Sequence, residues 1–140
     1  PLGELGQDFN HGTGHGVGYL LNVHEGPNSF RWRNVPGGNA VFEEGMITSD
    51  EPGYYVEDGY GIRHENMLVC KKAEKTSYGQ FMCFEFLTMV PFDLDGIIPE
   101  QMTARERKLL NDYHAQVYKK ISPYLENEEK EWLKEATRAI

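Results

Sequence analysis

Apolar residues along this 140-residue chain fall into two regimes. Up to about residue 99 they come in short runs broken by Gly and Pro, and from about residue 103 they recur with helical spacing. The runs at 46–49, 62–71 and 81–90 are apolar or alternating and of strand length. Between the first two lie Pro52-Gly53 and Asp58-Gly59. These are two turn signals, so the flanking runs are expected to fold back as an antiparallel pair. Such a pair would bring Glu51 and Glu65 from neighbouring strands to one place. Positions 30–41, with Pro36-Gly37-Gly38-Asn39 inside them, read as a loop.

The second regime opens on Thr103 and Glu106, the spacing of a capping box. Leu110, Tyr113, Val117 and Ile121 then share one helical face until Pro123 ends the helix. A second short helix carries Trp132, Leu133 and Ala136, and charged residues fill the remaining faces. This tail is expected to pack and to hold no chemistry, with His114 at its surface. The chain divides on this reading into a main portion, 1–101, and a helical extension, 102–140.

Twenty-two acidic against 14 basic residues leave a net charge of −8. A phosphate backbone would be repelled, and no basic cluster exceeds the pairs Lys71-Lys72 and Lys119-Lys120, so nucleic acid is excluded as a partner. No apolar run approaches the roughly 18 residues of a membrane span, which excludes a membrane partner. Cys70 and Cys83 both lie in apolar surroundings and are expected as buried thiols in a reducing, cytoplasmic setting. The chain starts at Pro1 without Met and soon enters its most Gly- and His-rich stretch, so it is expected to be cut from something longer.

That stretch, HGTGHGVGYLLNVHEGP, sets His11, His15 and His24 on one glycine-rich track. His11 and His15 have the spacing of helical zinc proteases, but Gly12, Gly14 and Gly16 oppose a helix and the motif's Glu is missing. In an extended chain, residues four apart share a face yet stand about 13 Å from each other. One of the two is therefore expected to ligate a metal and the other to do something else. Any single histidine here would be explained as well by a hydrogen-bonded core position; three together favour a site.

The second constellation, TSDEPGYYVEDGYGIRHEN, sets Glu51 before the Pro-Gly turn and Glu65 on the return strand. A carboxylate facing a sheet interior must be paired or bound to metal. Arg63 could pair with either glutamate, and an ion-pair cluster alone would explain them as well as a metal site does. With His15 nearby the metal reading is preferred. One imidazole and two carboxylates suit Mn²⁺, Co²⁺ or Zn²⁺ in a hydrolytic site. Two dications would need further acidic ligands. Asp50 should face away from Glu51 and Asp58 sits in a turn, so the missing carboxylates are expected upstream.

The strings HGTGHGVGYLLNVHEGP, DEPGYY, GIRHEN and FEFLTMVPFD occur in order and resemble the Xaa-Pro aminopeptidase branch of the pita-bread metallopeptidases. The tail, LLNDYHAQVYKKISPYL followed by EWLKEAT, resembles the helical extension of the cytosolic, three-domain members. The resemblance implies an α+β fold, a curved antiparallel sheet flanked by helices around a dinuclear metal centre. Its ligands would be two Asp lying before Pro1, with His15, Glu51 and Glu65. It further implies substrate contacts for His11 and His24, a bracing role for Arg63, and Glu51 as proton shuttle. Two divalent ions are expected, Mn²⁺ first and Zn²⁺ or Co²⁺ as alternatives.

The implied reaction is hydrolysis of the bond between an N-terminal residue and a following proline, by a homodimeric full-length enzyme. This chain alone is expected to bind metal weakly and to be inactive. A prolidase-type dipeptidase, a metal-free creatinase and a non-catalytic binding module are the rival readings. The departures from the family pattern are Asn10 and the composition of the insert at 31–39.

Overall fold

The computed structural model describes residues 3–9, 11–31, 33 and 40–140, and the chain forms two compact units, 1–88 and 89–140. Asn10 and most of the expected loop over 30–41 lie outside the described residues.

The first unit is built around one long antiparallel hairpin. Strand β3 (Ile47–Asp50) pairs with β6 (Asn66–Thr76), and β4 (Gly53–Tyr55) pairs with β5 (Gly61–Arg63). Both pairings keep the same register, Asp50 opposite Asn66 and Gly53 opposite Arg63. The run expected as one strand over 62–71 is therefore split at His64-Glu65. Proline explains the split: Pro52 has no N–H to give, so only half of the ladder pair forms there, His64 N–H to Pro52 O at 3.2 Å. Counted along the common register, Glu51 stands opposite Glu65.

Strand β7 (Gly79–Phe86) returns on the far side of β6, giving the order β3-β6-β7. The two strands reach further toward their turn than the apolar runs suggested, because residues 72–75 are exposed, most of them charged, and this stretch is held by the backbone ladder. At the other end the strand stops at Phe86, short of residue 90. The register slips between Lys72 and Lys75. Alternation along β6 buries Asn66, Leu68 and Cys70 on one face. Cys83 sits on β7 opposite Lys71, one step out of phase with Cys70, and is exposed. The expectation of two buried thiols therefore holds for Cys70 and fails for Cys83.

A short ribbon, β1 (Gly14–His15) with β2 (Ser29–Phe30), lies against β3. It is joined there by the bridge Gly16 to Thr48 and by Glu51 N–H donating to Thr13 O at 2.7 Å. The approach is close enough that a side chain on Gly14 would collide with the Ser49 carbonyl and the Phe30 ring. Thr48 and Ser49, on opposite faces of β3, are both fully buried.

The second unit holds α1 (Ala104–Ile121) and α2 (Asn127–Ala136). Thr103 and Glu106 form the expected capping box, each side chain accepting from the other's backbone N–H. Pro123 follows the last turn of α1. Tyr113 and Val117 of α1 pack with Leu133 of α2, and Ile121 and Phe92 border this core. His114 does not lie at the surface as expected: it is fully buried, and its Nε2 accepts the Phe92 N–H at 3.0 Å. Burial lowers its pKa.

Candidate metal centre

His15 and Glu51 reach each other across the β1–β3 seam. His15 Nε2 is 2.9 Å from Glu51 Oε1, and Glu51 is buried while His15 is partly open. The other ring nitrogen, Nδ1, lies 3.0 Å from the carbonyl of Gly16. A carbonyl can only accept, so Nδ1 donates to Gly16, and Nε2 is the atom left to engage Glu51, either by donating to the carboxylate or by sharing a cation with it. A nitrogen and a carboxylate oxygen directed at one spot suit a cation, and a histidine anchored through its second nitrogen to a backbone carbonyl is the usual arrangement of a metal ligand.

Glu51 is held from three sides. Its Oε1 also accepts from the Ser49 hydroxyl at 2.9 Å, and its Oε2 accepts from Arg63 Nη1. Arg63 lies diagonally across the β4–β5 hairpin from both Glu51 and Tyr55. Its Nε donates to the Tyr55 hydroxyl at 2.7 Å, and that bond, ahead of the Tyr55, Glu51 and Glu65 charges, holds the guanidinium above its ordinary pKa against the opposing effect of burial. Gly53 and Gly61 leave the space that the Tyr55 ring occupies.

The two remaining histidines take different places. The His24 ring lies 4.4 Å, centroid to centroid, from the His15 ring and is exposed. His11 packs edge-on against Tyr55, with ring centroids 5.3 Å apart. Its Nδ1 is 2.6 Å from Gly12 O, and its buried Nε2 has no hydrogen-bond partner among the described residues. Glu65 is exposed, opposite Glu51 in register.

The structure thus brings His15, Glu51 and Arg63 into direct contact, sets His24 on His15 and His11 on Tyr55, and leaves Glu65 apart. Among the described residues, no group of three or more His, Cys, Asp or Glu side chains is close enough to hold an ion by itself. The residues fit part of a metal-binding set, with one nitrogen and one oxygen donor already converged. Ser49 and Tyr55 escaped the sequence reading. The available signal was the period of two that puts residues 49, 51, 53 and 55 on one side of the extended run from β3 into β4.

Residues 2–72 match metallopeptidase family M24, and residues 80–140 match the C-terminal region of peptidase M24. The chain belongs to the M24 metallopeptidases. Among curated relatives it is 43% identical over 144 residues to a probable Xaa-Pro aminopeptidase P of Coprinopsis cinerea, and 44% identical over 149 residues to one of Arthroderma otae. Each alignment covers 99% of this chain and 23% of the relative, so the chain spans about a quarter of their length. The crystal structure of X-prolyl aminopeptidase from Caenorhabditis elegans superposes with a TM-score of 0.85 at 37% identity, covering 99% of this chain and 23% of that one. That protein is described as a cytosolic enzyme with a di-nuclear active site. The α+β architecture is accordingly part of a pita-bread fold, and no described helix is long and apolar enough to cross a membrane.

Proposed function

We propose that this chain supplies part of the catalytic centre of a metal-dependent aminopeptidase that cleaves the bond between an N-terminal residue and a following proline. One observation carries the reading: His15 Nε2 and Glu51 Oε1 converge to 2.9 Å from two different strands, with the histidine anchored on Gly16 O. The similarity to Xaa-Pro aminopeptidases over 99% of the chain supports the substrate class.

In this reading His15, Glu51 and Glu65 hold two divalent ions together with two aspartates from outside the chain. The di-nuclear site of the nematode enzyme supports the number of ions, and the mixed nitrogen and oxygen donors support Mn²⁺ ahead of Zn²⁺ or Co²⁺. When bound, the ions supply Lewis acidity to the scissile carbonyl and acidify the attacking water. Glu51 would accept a proton on its carboxylate and deliver it to the departing proline nitrogen. Arg63 keeps the Glu51 carboxylate oriented through Oε2.

A substrate proline amide has no N–H to recognise. His24, exposed beside His15, contacts the proline carbonyl, and His11 contacts the substrate through Nε2, which has no partner among the described residues. The resemblance to three-domain cytosolic members supports a cytoplasmic, homodimeric full-length protein. The test is Xaa-Pro peptide hydrolysis by the full-length protein, measured with and without a chelator and restored by Mn²⁺. Turnover that persists after chelation would contradict the reading.

A further inference from the structure

The side chain of Ser49 is hydrogen-bonded to both His15 and Glu51. It is fully buried in β3, two positions before Glu51 and on the same face. Its Oγ accepts the His15 backbone N–H at 3.0 Å and lies 2.9 Å from Glu51 Oε1. The direction of both bonds is fixed by chemistry. An amide N–H can only donate and a carboxylate only accept, so the single hydroxyl hydrogen is committed to Glu51. On the other face of the same strand, Thr48 donates to the His15 carbonyl at 3.1 Å. The His15 backbone is thus held by β3 side chains at both its N–H and its C=O.

The consequence is geometric. An unclamped glutamate at this position could turn about its side-chain torsions, and ordering it when an ion arrives would cost free energy. Here Oε1 is fixed by Ser49 and Oε2 by Arg63, both groups of the protein itself, and the same hydroxyl ties Glu51 to the strand that carries His15. We propose that Ser49 is a positioning residue for the metal centre, its hydroxyl holding the Glu51 carboxylate and the His15 backbone so that both donors are aimed in advance. This rests on the reading of His15 and Glu51 as ligands.

The test uses the full-length protein with Co²⁺ as probe, read by calorimetric affinity and by the visible absorption bands of the bound ion, with thermal melting as control of the fold. Ser49→Ala removes the clamp and is expected to weaken Co²⁺ binding by about 10–100-fold, the range for lost partners of metal ligands, and to shift the bands. Ser49→Gly, which also removes the hydroxyl and brings no metal donor of its own, should behave like Ser49→Ala, and it decides the matter if the alanine variant does not fold. Ser49→Thr keeps the hydroxyl and should restore both signals. Wild-type affinity and bands in the folded variant that lacks the hydroxyl, alongside a His15→Ala control that loses the ion, would overturn the role of Ser49 and leave the ligand reading standing. Wild-type affinity in His15→Ala would overturn the ligand reading and this inference with it.

Discussion

Arg63 and Glu51 meet diagonally across the β4–β5 hairpin, Nη1 to Oε2, while the neighbouring histidine takes Oε1. The carboxylate is buried, so its charge is tolerable only because both oxygens are engaged. Removing one partner is expected to leave the other open to competition from water.

His24 touches the ring of His15 and makes no direct contact with Glu51 among the interactions described. His24→Ala in the full-length protein should keep its metal content while turnover falls, by about 10²-fold if the residue supplies one transition-state hydrogen bond. Metal analysis beside steady-state kinetics checks this, and loss of metal would move His24 among the ligands.

The seam between β1 and β3 has no room for a side chain at Gly14. Gly14→Ala should separate His15 from Glu51 and destabilise the protein by about 1–3 kcal/mol, the usual cost of overpacking. Denaturant melts and metal titration should both register the change. A variant of wild-type stability and wild-type metal affinity would show that the seam can yield.

His114 is buried with its pKa lowered from 6.5 by burial. Below about pH 6.5 the unfolded chain therefore binds more protons than the folded one, so stability is present above that pH and is lost as pH falls toward the lower folded value. Protonation also removes the acceptor of the Phe92 N–H. His114→Gln offers an amide oxygen in place of Nε2 and does not titrate, so its stability should fall less between pH 7 and pH 5. Equal slopes in the two proteins would contradict this.

Cys70 is buried with its thiol pKa raised by burial, whereas Cys83 is exposed on β7. A thiol reagent applied to this chain under native conditions should modify Cys83 first, and Cys70 only on unfolding. Peptide mapping after partial labelling distinguishes the two.

Several of these features were legible in the residues. Pro52-Gly53 and Asp58-Gly59 announced the hairpin, Thr103 and Glu106 the start of α1, and the Glu51/Glu65 pairing followed from the turn. The break at His64-Glu65 was not legible, because it depends on Pro52 standing opposite in register, and register is a property of the paired strands. His114 was misread for a different reason. It lies three residues before Val117 and seven before Ile121, on the buried side of α1, but its polarity suggested solvent. Ser49 and Tyr55 stand in no metal-ligand or nucleophile pattern that would single them out; their places come from alternating with Glu51 along one side of the run from β3 into β4.

Glu65, which the structure sets opposite Glu51 in register and leaves exposed, is the proposed ligand whose role a single substitution tests most directly. In the full-length protein, Glu65→Gln exchanges a carboxylate for a neutral amide that cannot help to hold two dications. The measurement is metal stoichiometry and Xaa-Pro hydrolysis on the same sample. The account predicts that bound metal falls below two ions per chain and that hydrolysis falls with it. Two bound ions with unchanged turnover would contradict it.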